Sequence, residues 1–298
     1  MGFPSNTKKK IKGGGILDKK IGYSYATLTK ILMEAEIGDR ETCKNEAAIL
    51  LQAFAGIRPE ALPLCKDEVF LSDALENAVN MRCTHYPLQY LIGEWQFCTE
   101  TYTVTPDCLI PRSDTEILVE MASTLLPQGG RFLDLCTGSG CIAISLLSAR
   151  LDSTGIGVDL YDNTLSLAKH NAKQNGVSER ISFVKADVLS SDFMKDLDHF
   201  DLIVSNPPYI STQTVDTLSP EVLFEPRAAL DGGTDGLDFY RVLIREYPRY
   251  LSRDGKMILE IGYDQGEAVS NLALDAKMRC SIKKDLGGND RMAILSFD

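Results

Sequence analysis

The sequence is poor in the residues that build metal centres and disulfide frameworks. It has three histidines, His85, His170 and His199, and none stands near another at ligand spacing, so no metal site is expected. Its eight cysteines (Cys43, Cys65, Cys83, Cys98, Cys108, Cys136, Cys141 and Cys280) are scattered without a C-x-x-C pair. That pattern argues against a disulfide framework or a zinc site and fits a reducing, cytoplasmic compartment. No apolar run approaches the ~20 residues of a membrane span. No apolar stretch of a secretory signal follows the first residues either, so neither span nor leader is expected. Positive charge is also short: 31 basic residues face 42 acidic ones, a net charge of −11. Residues 1–20 hold six lysines against Asp18, a net +5, which leaves −16 on the remainder. A body that acidic is a poor general binder of phosphate backbones, so no stable nucleic-acid partner is expected. The Lys- and Gly-rich head, residues 1–22, reads as a flexible basic tail, with an RNA- or ribosome-touching arm as the alternative.

What is present is enough for a core. Of 298 residues, 44% are hydrophobic and 24% charged, which suits about two globular domains. Between residues 24 and 90, three stripes recur at i, i+3, i+4, i+7: Leu28, Ile31, Leu32, Ala35; Ala47, Leu50, Leu51, Phe54; and Leu71, Ala74, Leu75, Ala78. They predict a small helical bundle, broken at Pro59 and Pro63. Trp95, Phe97, Tyr102 and Val104 alternate with polar residues and predict a β-hairpin connector. Leu118, Met121, Ala122 and Leu125 mark another helix.

From residue 131 onward strands alternate with helices. The pattern predicts strands at 131–136, 155–159, 181–185, 201–205, 256–261, 279–284 and 292–297. Helices are predicted at 141–150, 163–175, 237–251 and 267–274. Such alternation means an α/β fold with a doubly wound, mostly parallel sheet, here closing on a C-terminal hairpin. No long exposed apolar stripe stands out, so a monomer is expected.

Four motifs carry chemistry. Asp134-Leu-Cys-Thr-Gly-Ser-Gly-Cys141 is a strand, a G-x-G turn and a helix start, in which the backbone can approach a ligand without an intervening Cβ. It lacks the third glycine of the dinucleotide fingerprint, which weakens a pyrophosphate ligand and a NAD(P) oxidoreductase. Asp159 ends the next strand, where a carboxylate can accept from two ribose hydroxyls; a helix cap is the alternative. Asp187, with Val188 next to it, ends the third strand and can reach the edge of an adenine, or cap the next helix. Ser205-Asn206-Pro207-Pro208-Tyr209 carries the most information. Two prolines stiffen the loop and leave carbonyl oxygens exposed. The Asn206 oxygen and the Pro207 carbonyl can accept the two N–H bonds of a planar NH2 group, while Tyr209 stacks on its plane.

At these residues the sequence resembles the class I S-adenosylmethionine-dependent methyltransferases, where N-P-P-Y is shared by enzymes that methylate exocyclic or amide nitrogens. Four further segments resemble the HemK/PrmC family of release factor glutamine N5-methyltransferases: Pro87–Phe97, Leu109-Ile-Pro-Arg-Ser-Asp-Thr-Glu116, Phe224–Tyr240 and Asp285–Arg291. The match runs from about residue 24 to the end. Cys136 departs from it where the first glycine of G-x-G-x-G is expected, and Ser113 where a proline often follows Pro-Arg. The resemblance implies a Rossmann-like methyltransferase domain at 111–298, a β-hairpin connector at 93–110 and a helical domain at 23–92 that recognises the protein substrate. It implies that Cys136, Thr137, Gly138, Ser139, Gly140, Asp159, Asp187, Val188 and Asn206 surround S-adenosylmethionine, with S-adenosylhomocysteine as product. It implies that Asn206, Pro207, Pro208 and Tyr209 hold the glutamine of a class-I peptide chain release factor. Glu225, Pro226 and Arg227 lie in the long stretch after N-P-P-Y, where a loop can line the same pocket; an ordinary surface loop with one salt bridge is the alternative. Asn206, Pro207 and Tyr209 are then the catalytic group. The alternatives are a nucleic-acid N-methyltransferase acting on adenine-N6 or guanine-N2, opposed by the acidic body, and a binding module without chemistry, opposed by the intact motifs.

Overall fold

A computed structural model describes residues 22–65, 68–190 and 199–297. The basic tail expected at 1–22 falls outside these, except for Gly22. The chain divides into two compact units, one up to Thr84 and one from His85.

The first unit is helical: α1 (Tyr25–Glu34), α2 (Arg40–Ala55), a short α3 (Leu62–Cys65) and α4 (Asp73–Arg82). Each long helix starts on a side-chain cap that satisfies an otherwise orphaned amide. Ser24 Oγ accepts from Thr27 N at 3.2 Å, Asp39 Oδ1 from Thr42 N at 2.8 Å and Ser72 Oγ from Leu75 N at 3.3 Å. The first two apolar stripes form the core of the bundle through Leu28, Leu32, Ala47, Leu50 and Leu51, all buried. The third differs from expectation. Leu71 precedes the cap and is 61% exposed, and the buried face of α4 is Leu75, Ala78, Val79 and Arg82. Arg82 is buried because its Nε and a terminal nitrogen donate to the two carboxylate oxygens of Glu46 at 2.6 and 2.9 Å, tying α4 to α2.

The second unit opens with α5 (Leu88–Ile92) and the predicted hairpin, β1 (Glu94–Phe97) and β2 (Glu100–Thr103), paired Trp95 to Tyr102. Phe97 and Tyr102 enter the core beside Leu118 and Phe132, and the Tyr102 hydroxyl bonds Ser145 Oγ at 2.7 Å. The hairpin is thus packed into this unit. Next along the chain come α6 (Ser113–Leu125), β3 (Arg131–Leu135), α7 (Cys141–Ala149), β4 (Thr154–Asp159), α8 (Asp162–Gln174), β5 (Ile181–Lys185), β6 (Phe200–Ser205), α9 (Thr212–Val215), α10 (Asp238–Glu246), β7 (Leu251–Glu260), α11 (Gly266–Asp275), β8 (Arg279–Lys284) and β9 (Asp290–Ser296).

The seven strands run in the order β5-β4-β3-β6-β7-β9-β8. β3 to β7 pair in parallel, and β9 pairs antiparallel with both β7 and β8. Helices α6, α7 and α8 cover one face through Leu118, Ile142, Leu146 and Ala172, and α10 and α11 the other through Tyr240, Leu243 and Val269. The helix expected over 237–251 ends at Glu246, because Pro248 opens a 3-10 turn, and Leu251 already belongs to β7. The polar run Ser252–Gly255, where β7 shifts register against β6, hides the start of that strand in the sequence.

Strand order reverses at β3. From there the chain goes outward through β4 on one side and later returns to β6 on the other, so the loops after β3 and β6 leave the sheet side by side. Close packing at this point depends on β4. Gly155 lies opposite Phe132, and a Cβ there would stand 2.3 Å from Phe132 Cζ in a fully buried ring. Gly155→Ala should therefore destabilise the protein by about 1–3 kcal/mol through overpacking. Denaturant unfolding checks this, and an unchanged midpoint would contradict it.

Candidate active site

Two adjoining cavities open beyond the carboxyl ends of β3 and β6. The larger measures about 430 Å³ and the smaller about 240 Å³. Leu109, Arg112, Asn206 and Ala229 line both.

The glycine turn forms one wall of the larger cavity. Cys136 has φ 60°, Gly138 φ 56° and Gly140 φ 81°, so the cysteine takes the left-handed conformation that a first glycine would supply. Thr137 N–H donates to Val158 O at 2.9 Å, and its hydroxyl to the buried Asp134 Oδ2 at 2.6 Å. Asp159 closes the turn from β4. Its Oδ2 accepts the Gly138 amide at 3.0 Å and its Oδ1 the Tyr161 amide at 3.2 Å. Burial raises the Asp159 carboxyl pKa against these opposing bonds. Cys136, Thr137, Gly138, Ser139, Asp159, Asp187, Val188 and Asn206 all line this cavity. Asp187 does so while its Oδ1 accepts the Leu189 amide at 2.9 Å. Gly140 does not line it: it caps α7, where a Cβ would stand 2.9 Å from Ile144 Cδ1.

The diproline corner lies across from this wall. Pro208 faces the larger cavity and Pro207 and Tyr209 the smaller, with Asn206 in both. Gln265 holds the corner from behind. Its Nε2 donates to Tyr209 O at 2.9 Å, and its Oε1 accepts the Gly262 amide at 2.9 Å. Of the loop residues, Glu225 and Arg227 line neither cavity, whereas Pro226, Ala228 and Ala229 line the larger one. Glu225 is buried beneath the loop, accepting the Ile110 amide at 3.0 Å and pairing with Arg112. Arg227 is half exposed and paired with Asp216 and Asp231.

Three groups escaped the sequence reading. Arg112 borders both cavities. Glu260, the last residue of β7, is buried and lines the smaller one. Thr115, in the first turn of α6, donates to Glu260 Oε2 at 2.6 Å and accepts from Asn206 Nδ2 at 3.1 Å. A lone glutamate closing the apolar run Met257-Ile-Leu-Glu260 was the available signal. Burial pushes the Glu260 carboxyl up to about 7 and the Asp134 carboxyl likewise to about 7. Among the described residues no cluster of His, Cys, Asp and Glu could hold a metal ion. The larger cavity suits a nucleoside-bearing ligand: a carboxylate at a strand end for vicinal hydroxyls, a tight turn that presents Gly138 without a Cβ, and apolar Val188 and Leu189 beside Asp187 for a flat ring.

The parallel sheet with its terminal antiparallel hairpin, and the cavity at its switch point, define a Rossmann-like class I methyltransferase. Residues 113–234 match the family model "Methyltransferase small domain". The chain is 38% identical over 260 residues to the release factor glutamine methyltransferase of Geobacter sulfurreducens, covering 85% of this chain and 89% of that protein. It is 39% identical over 263 residues to that of Cereibacter sphaeroides, covering 87% and 92%. The solved protein-(glutamine-N5) methyltransferase (release factor-specific) of Alicyclobacillus acidocaldarius is 31% identical, with a TM-score of 0.41, over 66% of this chain and 99% of that one. The chain belongs to the release factor glutamine methyltransferase family, and that membership implies dependence on S-adenosylmethionine.

The raised carboxyl of Glu260 has a thermodynamic sign. Between its unfolded value near 4.5 and about 7, the folded chain holds a proton that the unfolded chain has lost. Its stabilising contribution is full below that window and is lost as pH rises through it, by at most about 1.4 kcal/mol per pH unit. Denaturant unfolding from pH 4.5 to 7.5 should show a shallower loss in Glu260→Gln than in the native chain. Parallel profiles would contradict it.

Proposed function

We propose that this chain transfers the methyl group of S-adenosylmethionine to the side-chain N5 of the glutamine in the Gly-Gly-Gln loop of class-I peptide chain release factors. The observation that supports this reading most is Asn206, a residue that borders both cavities, so that a methyl donor in one and an amide in the other would meet beside it. When bound, S-adenosylmethionine supplies a sulfonium-activated methyl whose bond to sulfur breaks, the pair staying on sulfur, as the acceptor nitrogen's lone pair bonds to the carbon.

The residues of the chain do the positioning. Asp159 accepts from the ribose hydroxyls, Asp187 and Val188 border the adenine, and the Cys136–Ser139 backbone fits against the remainder. The Asn206 oxygen and the Pro207 carbonyl accept the two N–H bonds of the acceptor amide and aim its nitrogen in line. An amide nitrogen is a weak nucleophile, because its lone pair is delocalised, so alignment is the main task. Those two bonds strengthen as the nitrogen gains positive charge, and the Tyr209 ring face attracts the same charge. The surplus proton leaves to solvent after transfer.

The helical residues 23–92 hold the remainder of the protein substrate, while residues 111–298 perform the transfer. The acidic body favours a protein substrate over a nucleic-acid one. Incubation with labelled S-adenosylmethionine and purified release factor, followed by mass spectrometry of the Gly-Gly-Gln peptide, should place one methyl on the glutamine. Asn206→Ala should lower turnover by about 10²–10³-fold, the scale of one lost preorganised bond, with the melting temperature unchanged. Label on a nucleic-acid base, or near-native turnover by that variant, would overturn the assignment.

A further inference from the structure

Asn206 can serve the acceptor amide only if its oxygen faces the nitrogen. A carboxamide that rotates by half a turn presents NH2 to NH2, a donor against a donor. Three buried or half-buried groups from separate elements decide which way it points. Glu260 ends β7, Thr115 lies in the first turn of α6, and Asn206 follows β6. The Thr115 hydroxyl donates to Glu260 Oε2 at 2.6 Å and accepts from Asn206 Nδ2 at 3.1 Å. Both Thr115 and Glu260 are 2% exposed, which leaves water little room to substitute for either.

The chemistry of the chain sets its direction. An ionised carboxylate only accepts, so Thr115 must give Glu260 its single hydroxyl proton. Thr115 then has only lone pairs to offer Asn206, and only the NH2 end of the carboxamide can meet them. The Asn206 oxygen is turned to the other side.

We infer that Glu260 and Thr115 are positioning residues, which lock the Asn206 carboxamide with its oxygen toward the acceptor amide through one directional hydrogen-bond chain. The inference rests on the proposed role of Asn206 and adds the groups that hold it. It also explains a glutamate at the end of a buried strand, which desolvation would otherwise disfavour.

A protonated Glu260 undoes the lock, because it donates to Thr115 and frees the threonine proton to turn toward Asn206. The groups around Glu260 are the Tyr209 hydroxyl at 3.5 Å from Oε1, the Tyr240 hydroxyl on its main-chain oxygen at 2.8 Å, and the charges of Arg291 and Asp114. Arg291 lowers the carboxyl pKa and Asp114 raises it, while burial outweighs both and brings it to about 7. Methyl transfer should accordingly rise with pH through neutrality as Glu260 ionises.

The test compares Thr115→Val, Thr115→Ser and Glu260→Gln with the native chain. Three quantities are read: methyl transfer to purified release factor, S-adenosylmethionine affinity by calorimetry, and the melting temperature. Thr115→Val, which keeps the shape and removes the hydroxyl, should lose up to about 10²-fold in kcat with cofactor affinity nearly unchanged. Thr115→Ser should restore most of that loss. In Glu260→Gln the rise of kcat through pH 7 should vanish, because the amide has no proton to release there. Native kcat in Thr115→Val would overturn the inference, as would a serine variant no better than valine or a retained inflection in Glu260→Gln. A native chain that methylates no release factor would instead overturn the proposed function, so the two failures are distinguishable.

Discussion

One buried hydrogen bond sits where every functional element converges. Ser205, the last residue of β6, donates its hydroxyl to Leu135 O, the last residue of β3, at 2.6 Å. The same two residues are register partners in the parallel ladder. The bond therefore clasps the two strand ends at the point where the glycine turn leaves one and the diproline corner leaves the other. Neither loop could drift from its neighbour without separating that pair, so the distance between the cavity walls is inherited from the sheet. A buried hydroxyl in this place costs little, since its proton is satisfied by a main-chain oxygen.

Around this clasp the charges are arranged by burial. Glu225 and Glu260 both have their carboxyl pKa values raised by desolvation, yet each is held by partners from a distant part of the chain. Glu225 receives the Ile110 amide and the Arg112 guanidinium, which fastens the segment ahead of α6 to the loop after the diproline corner. Because Leu109 and Arg112 border both cavities, that fastening shapes the two at once. Only the glutamate of this pair is buried, so attraction to the partly exposed Arg112 is offset by the desolvation of Glu225, and losing Arg112 would leave the buried carboxylate a costly orphan. The segment is thus held in one arrangement by the penalty for leaving it.

Elements with a strong period were legible. The bundle helices, the hairpin and the alternation of strands and helices come directly from the spacing of apolar residues, and β5 and β8 fall on the residues expected. Failures had local causes. Leu71 continues a helical spacing across a capping serine, and spacing alone does not see a cap. Pro248 stops α10 inside the span predicted as one helix. Arg82 reads as surface until Glu46, distant in sequence, is brought beside it. In the site, the strand-end positions of Asp159, Asp187 and Asn206 were readable because a parallel sheet sends such residues to one edge. Side-chain direction was not readable: Arg227 and Glu225 are close in sequence, yet one pairs outward and the other inward. Thr115 and Glu260 were invisible for a related reason, since they meet only through folding across 145 residues of sequence separation.

Three cysteines, Cys108, Cys136 and Cys141, are among the residues that line the larger cavity. Burial drives the Cys108 and Cys136 thiols well above their ordinary range, and the Cys141 thiol up to about 12. The nucleophilic form of cysteine is the thiolate, which is scarce at neutral pH when the proton is held so firmly. A methyl donor held in this cavity, as proposed, would lie among thiols that keep their protons. On that proposal the buried, protonated thiols amount to chemical self-protection, leaving the reactive carbon to an incoming nitrogen and sparing the catalyst from suicide by its own reagent.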